Sequence, residues 1–154
     1  MKIALGCDHR GAVATQALIT HLKADGHEIE LVCDMNGSMS DYPDSAYAAC
    51  SRVSRGESER AILICGTGIG MCIAANKIRG IRAALATDEL SAQLSRTHND
   101  ANVLCLSADL LGATLVKRIV DTWVRTPFDG GRHLRRLQKI EAIERGDDPS
   151  GFRA

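Results

Sequence analysis

Cys65 stands immediately before Gly66-Thr67-Gly68-Ile69-Gly70, and no other stretch of the sequence joins residue types of such reactive potential. Alternate glycines let a backbone come close to a ligand and leave amide N–H groups available at a helix start, which suits an anion or an oxyanion. A thiol at the rim of such a nest meets positive potential, which favours thiolate over thiol. The combination is a base beside an oxyanion hole. Packing is the plain alternative, because free cysteine is among the most buried residue types. What lifts Cys65 above it is its place at a strand end before the loop; Cys72 lacks that place and reads as packing.

Other candidates are less specific. In Arg96-Thr97-His98-Asn99-Asp100 an imidazole could pass protons near neutral pH and an amide could hold a hydroxyl, although a histidine at a helix C-terminus also serves as a cap. Asp8-His9 is a ligand clamp or a strand-end turn, and Tyr42 a site residue or a packed loop anchor. Arg132 and Arg136, four apart, share a helical face that could grip a phosphate or simply be solvated.

Three known loops compete for the glycine turn. A Walker loop ends in Gly-Lys-Ser/Thr, but Gly70 is followed by Met71-Cys72. A cysteine phosphatase places an arginine six residues after its thiol, where this chain has Met71. The spacing Gly66-x-Gly68-x-Gly70, with Asp88 after the next strand, is closer to a dinucleotide fingerprint. Against it, the third glycine falls one residue early and no second half follows to carry a substrate.

The elements that must position these residues alternate along the chain. Strands are predicted at Lys2 to Cys7, His27 to Val32, Ile62 to Ile64, Ile81 to Ala86 and Val103 to Leu106. Helices are predicted from Gly11 to Gly26, from Ser45 to Gly56, over Met71 to Ile78, over Asp88 to Thr97 and from about Leu111 to Arg125. Gly37 and Asp41-Tyr42-Pro43-Asp44 punctuate turns. Such alternation predicts an α/β fold: one doubly wound, Rossmann-like domain with a five-stranded parallel sheet, whose ligands bind at strand carboxyl ends. A core over residues 1–126 is followed by a segment, 127–154, of the same domain. Its helix, Arg132 to Arg145, spaces Leu134, Leu137, Ile140 and Ile143 by three, an apolar stripe suited to a second subunit, and Gly146 to Ala154 reads as a frayed end.

Within 154 residues, 19 basic side chains balance 19 acidic ones and aromatics make up 3%, which argues against nucleic acid or a membrane surface as partner and for a small soluble ligand. Six cysteines without a C-x-x-C pair, and no signal peptide before the first strand, imply reduced thiols in the cytoplasm.

Taken together, Gly6-Cys7-Asp8-His9, Asp41-Tyr42-Pro43, Cys65 to Gly70 with Ile73-Ala74-Ala75-Asn76-Lys77, Ser91 to Arg96 with His98-Asn99-Asp100, and Gly130-Gly131-Arg132-His133 resemble type B ribose-5-phosphate isomerases. The resemblance runs in register from residue 2 to about residue 145. It implies interconversion of aldose and ketose sugar phosphates with no metal or other cofactor, in a homodimer or homotetramer with sites between subunits. Relatives in this family act on allose, galactose and tetrulose phosphates, and a non-catalytic sugar-phosphate sensor is the alternative from another class. The resemblance makes Cys65 the base that moves a proton between C1 and C2 through a cis-enediol. Gly66, Thr67, Gly68, Ile69 and Gly70 would hold the enediolate, and His98, helped by Asp8, would open the furanose ring. Tyr42 and Asn99 would contact the sugar, while His9, Arg132 and Arg136 would bind phosphate. One branch of the family carries a glutamate directly after the loop; Met71 stands there, which leaves Cys65 as the base.

One residue departs from the pattern. Asp109 occupies the loop position where the family commonly has a phosphate-binding arginine. Either it caps the following helix, or Arg10 or a tail arginine compensates, or the bound sugar ends differently.

Overall fold

A computed structural model describes residues 1–35 and 41–151. Five parallel strands form one sheet in the order β2-β1-β3-β5-β4: β1 Lys2–Cys7, β2 Glu28–Leu31, β3 Arg60–Cys65, β4 Ala83–Leu85 and β5 Val103–Ser107. Among the described residues six α-helices cover it: α1 Ala12–Ala24, α2 Tyr42–Ser54, α3 Ile69–Ala75, α4 Glu89–Thr97, α5 Ala113–Arg125 and α6 Arg132–Arg145. The α/β, doubly wound architecture is the expected one.

Strand periodicity divides the core. Ile3, Leu5, Cys7, Ile62, Ile64, Leu104 and Leu106 face a layer built on α1, α4 and α5, with Trp123 at its centre. Ala4, Ala61, Leu63, Cys65, Val103 and Cys105 face α2 and α3. Both faces are apolar, as a sheet covered on two sides requires. The second face is lined by small side chains, so α2 lies close, with Ala46, Ala49 and Cys50 fully buried.

Strand β5 lies between β3 and the edge strand β4, which precedes it in the chain, so Cys65 of β3 pairs with Ser107 of β5. The chain reverses its winding between β1 and β3, and the carboxyl ends of those two strands open the crevice in which such folds bind ligands. At the far edge, the Asn76 side-chain amide donates to Ala83 O at 2.9 Å and accepts from Ala83 N at 2.9 Å, standing in for the next strand.

Several boundaries differ from expectation. Helix α2 begins at Tyr42 rather than Ser45, because Pro43 sits in the first helical turn, where its missing N–H is no loss. Helix α3 starts two residues early and is shorter, and β4 keeps only three of its six expected residues. The turn expected at Gly37 lies outside the described residues, and Pro149–Gly151 of the expected frayed end forms a 3-10 turn. Helix α6 has the expected bounds, but of its stripe only Leu137 is buried, with Leu134, Ile140 and Ile143 at 51%, 42% and 60% exposure. Among the described residues no helix is long and apolar enough to cross a membrane.

Candidate active site

At the carboxyl ends of β1, β3 and β5 one cluster forms around Cys65. Its Sγ accepts a hydrogen bond from the Gly68 N–H at 3.1 Å, so the sulfur turns into the glycine loop rather than away from it. Asp8 follows the rung on which Cys7 pairs with Ile64, which brings it beside Cys65 on one side, and Ser107 flanks the other. Thr67 is exposed, and its Oγ1 accepts from Ile69 N at 3.3 Å. The Tyr42 ring lies against Gly70, where an added Cβ would stand 2.7 Å from two ring carbons. Tyr42 is therefore both packed against the loop and 40% exposed at its mouth.

The supports of this cluster are polar and local. Asp8 is buried, and its Oδ1 accepts from the N–H groups of Arg10 at 2.9 Å and Gly11 at 3.1 Å, closing the turn that exposes His9. Ser107 Oγ donates to Gly66 O at 2.6 Å and accepts from Leu110 N at 2.9 Å, tying two loops together. Gly68 adopts φ +76°, and a Cβ there would meet Leu85 Cδ1 at 2.6 Å and the Leu106 carbonyl carbon at 2.9 Å. Left-handed strain and overpacking add, so Gly68→Ala should lose about 2 to 5 kcal/mol of stability in denaturant unfolding. A loss below about 0.5 kcal/mol, the range of unremarkable surface changes, would show that the loop relaxes freely.

A second cluster gathers at the opposite end of the sheet. Helix α4 runs back from the carboxyl end of β4 and delivers His98 and Asn99 before β5 begins. Arg82 Nε donates to Asn99 O at 3.1 Å and to Asp100 O at 3.0 Å, and the buried Arg96 donates to Ala101 O at 2.6 Å, so this turn is held from two sides. The rings of His98 and His133 stack with centroids 4.2 Å apart and planes 8° from parallel. Arg136 Nη1 lies 3.5 Å from His133 Nδ1, and Arg132 and Arg136 are exposed on the first turns of α6.

Burial, and next the like charge of His98, push the His133 imidazole below its usual protonation range. A native value below the unfolded one means stability that is full above about pH 6.5 and lost as pH falls through the lower native value. The thermal midpoint should drop between about pH 7 and pH 5, and His133→Gln should flatten that drop; an unchanged slope would locate the effect elsewhere.

The structure thus joins Asp8, His9, Tyr42, Cys65, Thr67 and the loop glycines, and it joins His98 and Asn99 with the tail arginines, but it does not join the two groups. At about 3.3 Å per residue, Val103 to Ser107 alone spans about 13 Å, with His98 beyond one end and Cys65 at the other. Asp8 and His98 do not meet within one chain. Two contributors had no role assigned from sequence: His133, quoted only within the tail motif, whose contact with His98 depends on the path of α6, and Ser107, a serine of unremarkable surroundings in sequence. Asp109 is not a helix cap, since α5 begins at Ala113 with Gly112 at its N-cap and no side-chain cap bond; it pairs with Arg10. Among the described residues one trio has the donor types to bind a cation, His21, Asp25 and Asp121; it lies apart, on α1, its C-cap and α5, and is engaged by its own contacts, His21 with Asp121 and Asp25 with Arg125.

Residues 3–140 match the ribose/galactose isomerase family model. Ribose-5-phosphate isomerase B of Escherichia coli is 45% identical over 93% of this chain and 96% of its own. D-erythrulose-4-phosphate isomerase 2 of Mycolicibacterium smegmatis is 42% identical over 84% of this chain and 87% of its own. The structure of ribose-5-phosphate isomerase B from Clostridium thermocellum superposes with a TM-score of 0.93 at 44% identity, covering 95% of this chain and 99% of that one. With that extent of agreement in sequence and fold, the chain belongs to the ribose/galactose isomerase family.

Proposed function

We propose that the chain is an aldose–ketose isomerase interconverting ribose 5-phosphate and ribulose 5-phosphate without a metal. The observation that carries this is the Cys65 sulfur seated in the glycine loop, hydrogen-bonded by Gly68 N–H. Isomerisation removes the C2 proton of the open-chain aldose, forms a cis-enediolate and returns a proton to C1. Negative charge then develops on the sugar oxygens next to the base. The first amides of α3 have no helical acceptor, and donors fixed before the reaction are worth most where such charge appears. Cys65 acts as the base, Thr67 and the loop from Gly66 to Gly70 hold the enediolate, Asp8 and Tyr42 line the sugar, and His9 faces its phosphate.

Ring opening falls to His98, Asn99 holds a sugar hydroxyl, and Arg132 and Arg136 join in binding phosphate; these four are too far from Cys65 in one chain to reach the same sugar. A second copy supplies them, so each site lies between subunits of a homodimer or homotetramer. The exposed apolar ridge of α6 supports that assembly, because apolar side chains at this spacing gain stability when covered. The segment 127–154 then belongs to the same domain as the core and packs on the partner.

The test is turnover of purified protein on ribose 5-phosphate with chelator present, beside four- and six-carbon sugar phosphates. Absence of turnover on every sugar phosphate overturns the reading. Preference for a tetrose phosphate would favour the second reading, which the Arg10–Asp109 pair and the resemblance to an erythrulose-4-phosphate isomerase support.

A further inference from the structure

The Arg10–Asp109 pair sits on the catalytic loop. Arg10 Nε and Nη2 both reach Asp109 Oδ2, each at 2.8 Å. A Cβ on Gly66 would lie 2.8 Å from that oxygen and 3.1 Å from Arg10 Cδ and Nε, so the pair closes over Gly66, one residue from the thiol. Each partner is fixed by its own backbone. Arg10 N–H donates to the buried Asp8 at 2.9 Å, and Asp109 N–H donates to Gly66 O at 3.0 Å. The ends of β1, β3 and β5 thereby meet at one guanidinium.

Two nitrogens of that guanidinium turn to one carboxylate oxygen, which leaves Nη1 and its two N–H groups for another acceptor. The Arg10 side chain is 55% exposed, and an ion pair this open to water contributes little to stability. A guanidinium is a planar, permanently charged donor, and this one is held against Gly66.

We propose that Arg10 binds the terminal phosphate of the sugar and that Asp109 is a positioning residue that aims it. The proposal rests on the isomerase reading above. It gives this chain a phosphate donor rooted at the end of β1, in place of an arginine in the loop after β5.

The experiment pairs steady-state kinetics with calorimetric titration of inorganic phosphate, on wild type, Arg10→Ala, Asp109→Asn and Arg10→Ala/Asp109→Arg. Loss of a charge-assisted hydrogen bond predicts that Arg10→Ala raises KM for ribose 5-phosphate about 10- to 100-fold with a much smaller change in kcat, and weakens phosphate binding in parallel. Asp109→Asn, which keeps an acceptor, should shift KM less than Arg10→Ala, and the double variant should regain phosphate affinity. Unchanged KM and phosphate affinity in Arg10→Ala overturn the proposal and leave the isomerase reading standing. Phosphate binding that depends on Arg10, in a protein that turns over no sugar phosphate, sustains the subsite and overturns the isomerase. Wild type that binds no phosphate overturns the subsite outright.

Discussion

Turnover of a Cys65→Ala variant should fall about 100- to 10,000-fold, the range over which a positioned general base acts, while its affinity for ribose 5-phosphate stays within about threefold. The asymmetry follows from the local structure. Cys65 is 5% exposed, and its sulfur meets the loop through the single bond from Gly68 N–H. The pairing of β3 with Ser107 and the φ of Gly68 rest on backbone and not on the sulfur, so the loop should keep its shape without it. Proton transfer alone loses its acceptor. Single-turnover kinetics beside equilibrium binding separate the two effects. A retained rate would move the base to another group, and Asp8, on the adjacent strand end, would be the first to replace next.

The second large effect is recovered activity. His98→Asn alone and Cys65→Ala alone should each be close to inactive on the furanose form, yet the two proteins co-expressed should regain about a quarter of wild-type activity. The figure comes from two-fold pairing: half of randomly assorted dimers are mixed, and each mixed dimer holds one site with both native residues and one with neither. The argument rests on the placement of the two clusters at opposite ends of β5. No rotamer carries His98 across the thickness of the sheet end to end. Activity that stays at the level of the single variants would mean that each site is complete within one chain.

The strand, glycine turn and helix around Cys65 were legible because each depends on neighbours in sequence: an apolar run, closely spaced glycines and a helical period. Helix α6 was legible for the same reason, down to its terminal residues. Tyr42 was harder, since Pro43 signals a turn and a first helical turn alike, and only packing of the ring on Gly70 decides between them. Asp109 was ambiguous in a different way. A helix cap is a local interaction that a sequence window can suggest, whereas the actual partner, Arg10, lies 99 residues away and is brought near by the order of the sheet. His133 belonged to a visible motif, but its partner was not legible, because stacking on His98 requires the loop from Pro127 to Gly131 to fold α6 back onto the end of α4, and Asp129 N–H bonding to Thr97 O at 3.1 Å is the contact that turns it. The separation of the two clusters could not be read from spacing at all. Strand order and direction, not distance along the chain, set it.

The carboxamide of Asn76 gives the sheet a stopper. An approaching extended chain, whether a misfolded copy or a stray peptide, must recruit the outward N–H and C=O of Ala83 to add a sixth strand, and both already have a covalently tethered partner. Protection of this kind is chemical as well as geometric: hydrolysis of the amide to a carboxylate would delete the donor, set a negative charge against the Ala83 carbonyl and unplug the border of the fold. Slow loss of solubility in stored protein should therefore track deamidation at this one residue.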